Sequence, residues 1–413
     1  MTRRRTIVTA AILAGALGLT ACGTNREEGS GGAAGGSSCD TSKGTLVIGM
    51  VAPLSGGLSS LGLGMSHSAD LAVDQANAKC TVPGYGLVFQ PEDDQGLPQV
   101  AGQAATKLAS DPNVVGVIGT LNSSTSQTVQ PILADRGIVQ VSPANTNPTL
   151  TQGEDPTANP KRPFSSYFRL ATTDLIQGPF AAQYLVQKAG KKNIAVIDDG
   201  KTYGVGLAET FSQEAEKLGA NIVARERVGE KDTDFSGALA KIRPFNPDAI
   251  YYGGEFPAAG PLSAQLAGAG LNIPLMGGDG IVDKQFVALG GRAGDLATSV
   301  GAPAESLPSA KQFIADYEAA NYAEPFGAYG ALTYDSTNVV IEAVAKAVQG
   351  GTWSEDTRQT VVSNVQSTSI EGASGPVAFD EFGDTTNKVL TVYTVKGDNF
   401  EPIEGSTGSY ESR

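Results

Sequence analysis

Residues 114–127 read "VVGVIGTLNSSTSQ", a run of β-branched residues that passes without a break into hydroxyls and amides. A short apolar run of this kind, bounded by turn signals, reads as a strand covered on both faces. Residues 138–146, "IVQVSPANT", repeat the arrangement. Two buried strands that end in small polar side chains leave backbone groups uncovered at one level. In open α/β sheets, ligands sit just outside those carboxyl ends. The tip "NSSTSQ" also leads into a helix starting near Thr125. Its free N–H groups suit an anion, or else Ser123, Ser124 and Thr125 cap their own helix.

From residue 45 the same alternation extends along the chain. The runs "TLVIGMVAP", "LVFQPEDD", "NIAVIDD", "NIVARERV", "AIYYGG" and "LATSVGAP" are separated by stretches with apolar residues at helical spacing, such as Leu71, Val73 and Ala76 or Phe211, Ala215 and Leu218. Strands alternating with helices predict parallel sheets covered by helices on both faces. One sheet of so many strands is too wide, and 413 residues with 40% hydrophobic content are too many for one ordinary core. The expected fold class is α/β with two doubly wound parallel-sheet lobes, the first starting near residue 45 and the second near 172.

The opening "MTRRR" followed by "TIVTAAILAGALGL" is a basic region and an apolar stretch too short to span a bilayer, the pattern of an export signal. The tetrapeptide "LTAC" at 19–22 resembles a lipobox, which implies removal of residues 1–21 and lipidation of Cys22. Residues 22–44 are rich in Gly and Ser and read as a flexible tether, and 404–413 as a disordered tail. An exported chain sits where disulfides persist. With Cys22 given to lipid, Cys39 and Cys80 remain. They are either bridged, which pins the tether to the first lobe, or two free thiols.

A formal charge of −14 repels phosphate backbones, so no nucleic-acid partner is expected. The single histidine, His67, and the lack of a CxxC pair leave almost no material for zinc or for Ser-His-Asp and Cys-His catalysis. "SGGLSSLGLG" fails the dinucleotide spacing because His67 closes "GLGMSH", and no P-loop is present. The acidic tips at 92–94 and 198–199 are candidates for a cation, although carboxylates at strand ends more commonly cap turns or face solvent. No metal, no cofactor and no enzymatic activity are expected.

Taken in order, "VAPLSGGLSSLG", "DDQGLPQVAGQAATKL", "VIGTLNSSTSQ", "GIVQVSPANT", "YFRLATTD", "IAVIDDGKTYGVGLA", "DFSGALAKI", "AIYYGGEFPAAGPLSAQLAGAGL", "PLMGGDG" and "ASGPVAFDEFGD" resemble the leucine/isoleucine/valine-binding proteins from about residue 45 to 400. These are extracytoplasmic solute-binding proteins of ABC importers with a type I periplasmic binding fold. The resemblance implies a hinge and an interlobe ligand cleft, with residues 45–171 and 303–385 in lobe 1 and 172–302 and 386–403 in lobe 2. The connections fall near 172, 302 and 386. It also implies that Ser123 and the backbone around it, with Thr146, take the α-carboxylate of a free amino acid. The carbonyl of Ala144 and the carboxylate of Asp279 would take the α-ammonium. Tyr203 would cover the ligand from the second lobe, and Tyr329 falls near an aromatic of the side-chain pocket. Read alone, Asp279 is a turn former and Tyr203 closes a loop over its own helix.

Several positions depart from that pattern. Leu61 and Glu255 stand where leucine binders carry tyrosines, Asp279 is shorter than the family's glutamate, Asn145 replaces an alanine, and Asn122 occupies a position of the family's cysteine pair. A second carboxylate at the cleft disfavours an anionic ligand side chain and favours a polar or basic one. The expected partners are an amino acid, ABC permease subunits and, through the lipid, the membrane. The chain is expected to act as a monomer on the outer face of the cytoplasmic membrane, or in a periplasm where an outer membrane exists. Relatives of the same fold that sense or import amides, urea or aromatic acids are the alternative, and their ligands carry no ammonium for Asp279 to meet.

Overall fold

The computed structural model describes residues 39–410. The residues expected to form an export leader, a lipidation site at Cys22 and a tether ahead of Cys39 lie outside the described residues. Strands β1 (Gly44–Ala52), β2 (Tyr85–Asp93), β3 (Val114–Gly119), β4 (Val139–Ser142) and β5 (Tyr167–Arg169) form one sheet in the order β2-β1-β3-β4-β5. All of its pairings are parallel. β1, "GTLVIGMVA", is buried from Leu46 onward, as a strand with helices against both faces must be. Helix Gly330–Ala347 lies on β3 and β4. Gly116 makes that approach possible, because a Cβ there would stand 2.5 Å from Val340 Cγ1.

The second sheet contains β6 (Asn193–Asp198), β7 (Asn221–Arg227), β8 (Ala249–Gly253), β9 (Leu275–Gly277) and β10 (Leu296–Val300), paired in parallel. A separate hairpin of β11 (Ser369–Gly372) and β12 (Gly375–Ala378) precedes β13 (Val389–Lys396), which runs antiparallel to β10, and β14 (Asn399–Pro402) folds back on β13. The order is β14-β13-β10-β9-β8-β6-β7. The antiparallel edge lies outside the strand–helix alternation because only the turn at Gly397 separates its two strands.

The chain passes from the first sheet to the second after β5, and returns after β10 to lay helices Lys311–Ala320 and Gly330–Ala347 against helix Ser59–Ala78. It passes over again between β12 and β13. Cys39 and Cys80 are joined by a disulfide, with their Cα atoms 5.3 Å apart. Lys43 Nζ donates to Gly351 O at 2.7 Å, so the stretch just ahead of β1 is fastened to the fold.

The tail differs from expectation. Residues 404–413 read as disordered, yet β15 (Gly408–Ser409) pairs with Leu390 and Val389 of β13. Ser406 Oγ donates to Val392 O at 2.9 Å. β14 covers only the Tyr393–Lys396 part of that edge, so the tail covers the rest. Backbone groups at an open strand edge demand partners whatever the composition of the segment that supplies them.

Candidate functional site

The polar tips of both sheets converge. Of the nine residues proposed to hold a ligand, Leu61, Ser123, Ala144, Thr146, Tyr203, Glu255, Asp279 and Tyr329 line one small pocket. Leu121, Asn122 and Gly280 complete its wall. Asn145 does not line it. Its side chain donates to Leu121 O at 2.8 Å and accepts from Tyr167 Oη at 3.0 Å, turned away from the cavity that its two neighbours face.

The end facing an anion is built from helix Ser123–Asp135. Asn122 enters it in extended conformation and no side chain caps it. Ser126 N is the first amide to bond back, to Asn122 O at 3.1 Å, which leaves the amides of residues 123–125 without intrahelical partners. Thr125 Oγ1 donates to Asn122 O at 2.8 Å, so it does not serve those amides as a cap. Thr146 Oγ1 is buried without a partner. Free amides at the positive end of a helix dipole, beside an unengaged hydroxyl, form an anion site.

The end facing a cation is Asp279, only 1% exposed. Its Oδ1 accepts from Tyr203 Oη and Gln177 Nε2, each at 2.8 Å, and its Oδ2 accepts from Tyr329 Oη at 2.7 Å. Burial pushes its carboxyl up, and the hydrogen bonds from Tyr329, Gln177 and Tyr203 only partly oppose this. The Tyr203 hydroxyl also accepts from Gly280 N at 3.1 Å. Tyr203 therefore holds Asp279 in place as well as lining the cavity. Its helix, Thr202–Lys217, abuts the end of β8 through two glycines: a Cβ on Gly204 would meet Gly253 O at 2.4 Å, and one on Gly253 would meet Gly204 O at 2.1 Å.

Glu255 is already partnered on both oxygens. It accepts from Asn122 Nδ2 and from Lys201 Nζ, and Lys201 also pairs with Glu230 at 2.8 Å. Burial opposes the Lys201 charge, but Glu255 and Asp199 outweigh it and hold the ammonium above its ordinary value. Across the cleft, Ser60 Oγ donates to Asp283 Oδ2 at 2.9 Å, and Asn147 Nδ2 donates to Thr202 O at 2.8 Å. The acidic tips close turns: Asp93 Oδ1 accepts from the amides of Leu54 and Gln95, each at 2.9 Å, and Asp198 Oδ1 from Gly200 N at 2.9 Å. Among the described residues no group of His, Cys, Asp and Glu forms a metal site.

Lys201, Gln177 and Asp174 were not singled out from sequence. Asp174 and Gln177 are three apart on one helix, which places them on one face. Gln177 Nε2 bonds Asp174 Oδ1 at 3.3 Å as well as Asp279. Asp94, Asp174 and Asp199 are each pushed up to about 7, chiefly by burial, with neighbouring carboxylates adding to it. An unfolded chain releases these protons near pH 4, so between about pH 4 and 7 the folded state holds more protons and its stability falls as pH rises. The ligand-free chain should therefore melt at a higher temperature near pH 5 than near pH 8. Scanning calorimetry at the two values checks this, and a higher melting temperature on the alkaline side contradicts it.

Two mainly parallel sheets whose helix-bearing strand ends face each other across a cavity lined by both define a two-lobed solute-binding fold. The chain belongs to the periplasmic binding protein family, whose model matches residues 45–399. The Leu/Ile/Val-binding protein BraC3 of Rhizobium johnstonii is 29% identical over 349 residues, covering 84% of this chain and 91% of that one. The Leu/Ile/Val-binding protein of Citrobacter freundii is 30% identical over 340 residues, covering 82% and 88%. The branched-chain amino acid transporter substrate-binding protein LivJ of Streptococcus pneumoniae, solved with isoleucine, matches with a TM-score of 0.76 at 26% identity, covering 89% of this chain and 99% of that one. These relatives are solute-binding proteins, and periplasmic binding proteins are extracytoplasmic. Among the described residues no helix is long and apolar enough to cross a membrane.

Proposed function

We propose that this chain is the extracytoplasmic receptor of an ABC importer and captures a free amino acid between its two lobes for delivery to a permease. The observation that carries this reading is the pairing of opposite demands in one small cavity. The uncapped helix end beside Thr146 suits a carboxylate, and the buried Asp279 carboxylate suits an ammonium. A zwitterionic head satisfies both at once, and charge-assisted hydrogen bonds in a dry site are the strong ones. Ser123, Thr146 and the amides of residues 123–125 hold the carboxylate in this reading, and Ala144 O and Asp279 hold the ammonium. The connections near 172, 302 and 386 act as the hinge, and lipid on Cys22 keeps the receptor at the membrane.

A thermal-shift screen of the chain lacking its leader tests this against the amino acids, urea, simple amides and aromatic acids. A ligand at a hundredfold excess over its Kd stabilises by roughly 2.7 kcal/mol, a shift well within detection. At least one free amino acid should stabilise the chain and its N-acetylated form should not. Stabilisation confined to an amide or an aromatic acid overturns the amino-acid reading in favour of a receptor for those solutes.

A further inference from the structure

We propose that the cleft selects an amino acid whose side chain carries an N–H or O–H donor, with Glu255 as the acceptor that reads it. This rests on the amino-acid reading above. Once Ser123, Thr146 and Asp279 are assigned to the head, the wall left for a side chain includes Leu61, Asn122 and Glu255. Glu255 has one donor on each oxygen, Asn122 Nδ2 and Lys201 Nζ, whereas a carboxylate has about four lone-pair sites. Because a carboxylate only accepts, it fixes the Asn122 amide with nitrogen toward Glu255. Asn122 Oδ1 is thereby left as an acceptor, and it is buried without a partner in a side chain only 4% exposed.

This wall is short of donors. A hydrocarbon side chain desolvates Glu255 and returns nothing, while a carboxylate side chain meets a like charge. Glu255 also lines an adjoining pocket open to solvent, shared with Asp199, Lys201, Glu230 and Tyr252. A side chain of several atoms therefore has somewhere to extend, and its surroundings stay acidic, with Asp199, Glu230 and Glu255 gathered round Lys201. The hydroxyl of Tyr252 is buried there without a partner.

Calorimetric titration of the chain lacking its leader with leucine, valine, threonine, glutamine and lysine tests the proposal, in the parent and in Glu255→Leu and Glu255→Gln. A hydrogen bond to a charged group supports a preference of about tenfold or more, so threonine, glutamine or lysine should bind the parent at least that much tighter than leucine and valine. Glu255→Leu should shrink the gap to about threefold or less by the same relation. Melting curves establish that each variant is folded. Should Glu255→Leu fail to fold, Glu255→Gln, which keeps the shape and loses the charge, should narrow the gap in the same direction. A parent that prefers leucine or valine overturns the inference and leaves the amino-acid reading standing. So does a variant that weakens all five ligands in equal proportion, the mark of a residue that only holds the lobes together. Absence of binding by any free amino acid removes both.

Discussion

Asp279→Asn is expected to weaken the amino-acid ligand by roughly thirtyfold or more, read by calorimetric titration. Asp279 is almost wholly buried, and removing the charge leaves a bound ammonium desolvated without its counter-ion, at a cost of about 2–5 kcal/mol. The same substitution spares the fold. An asparagine oxygen in the place of Oδ1 still accepts from Gln177 and Tyr203, and an amide in the place of Oδ2 donates to the Tyr329 hydroxyl, which is able to accept. That amide then presents hydrogens where the ammonium needs an oxygen. Affinity should therefore fall while the melting temperature of the ligand-free protein changes little. Undiminished binding by the variant would remove Asp279 from the ammonium site and leave the receptor for amides or aromatic acids as the better reading.

The largest loss of stability is expected at Arg169, the bulkiest of the fully buried side chains. Its Nε donates to Asp384 Oδ1 at 2.5 Å, Nη1 donates to Asn147 O at 2.7 Å, and Nη2 donates to Thr151 Oγ1. Arg169 closes β5 and Asp384 lies just ahead of the last passage between the sheets, so this pair ties two of the three connecting segments together at their first-sheet ends. Burial pushes the Asp384 carboxyl up, yet the Arg169 charge holds it below its ordinary value. The stabilisation is present above the unfolded value near pH 4 and is lost only as pH falls through the still lower folded value. Arg169→Met strands that carboxylate and the facing carbonyls, and should cost about 3–5 kcal/mol in urea unfolding at neutral pH. Adding Asp384→Leu should restore much of it. A loss under about 1 kcal/mol in the single variant would show the pair to be solvated, contrary to the geometry.

The two-sheet plan was legible because β-branched runs and helical spacings carry the local signal. The polar tips were legible because each follows such a run and strand ends of parallel sheets share one level. What escaped notice depends on contacts between distant segments. Lys201 in "DDGKTYG" reads as an ordinary turn lysine, and its role comes from Asp199, Glu230 and Glu255 gathering around it. Gln177 reads as one polar position on a helix until the Asp279 loop is set beside it. Asn145 lies beyond the end of β4, where no strand alternation sets the direction of a side chain, and the structure turns it toward Tyr167. Composition alone marks the tail as disordered, whereas hydrogen bonding to a strand edge depends on the backbone.

Helix Gly330–Ala347 lies on β3 and β4, with Val340 against Gly116, but it is encoded after every parallel strand of both sheets. A chain emerging N-terminus first thus has its opening five strands long before it has their lid. The apolar face of β3 and β4 stays exposed until synthesis has passed residue 347. Pairings this distant in sequence close large loops before they return any energy, so folding is slow and the two lobes cannot be completed one after the other. The order of the chain thus keeps the first sheet incomplete until most of the molecule has been made.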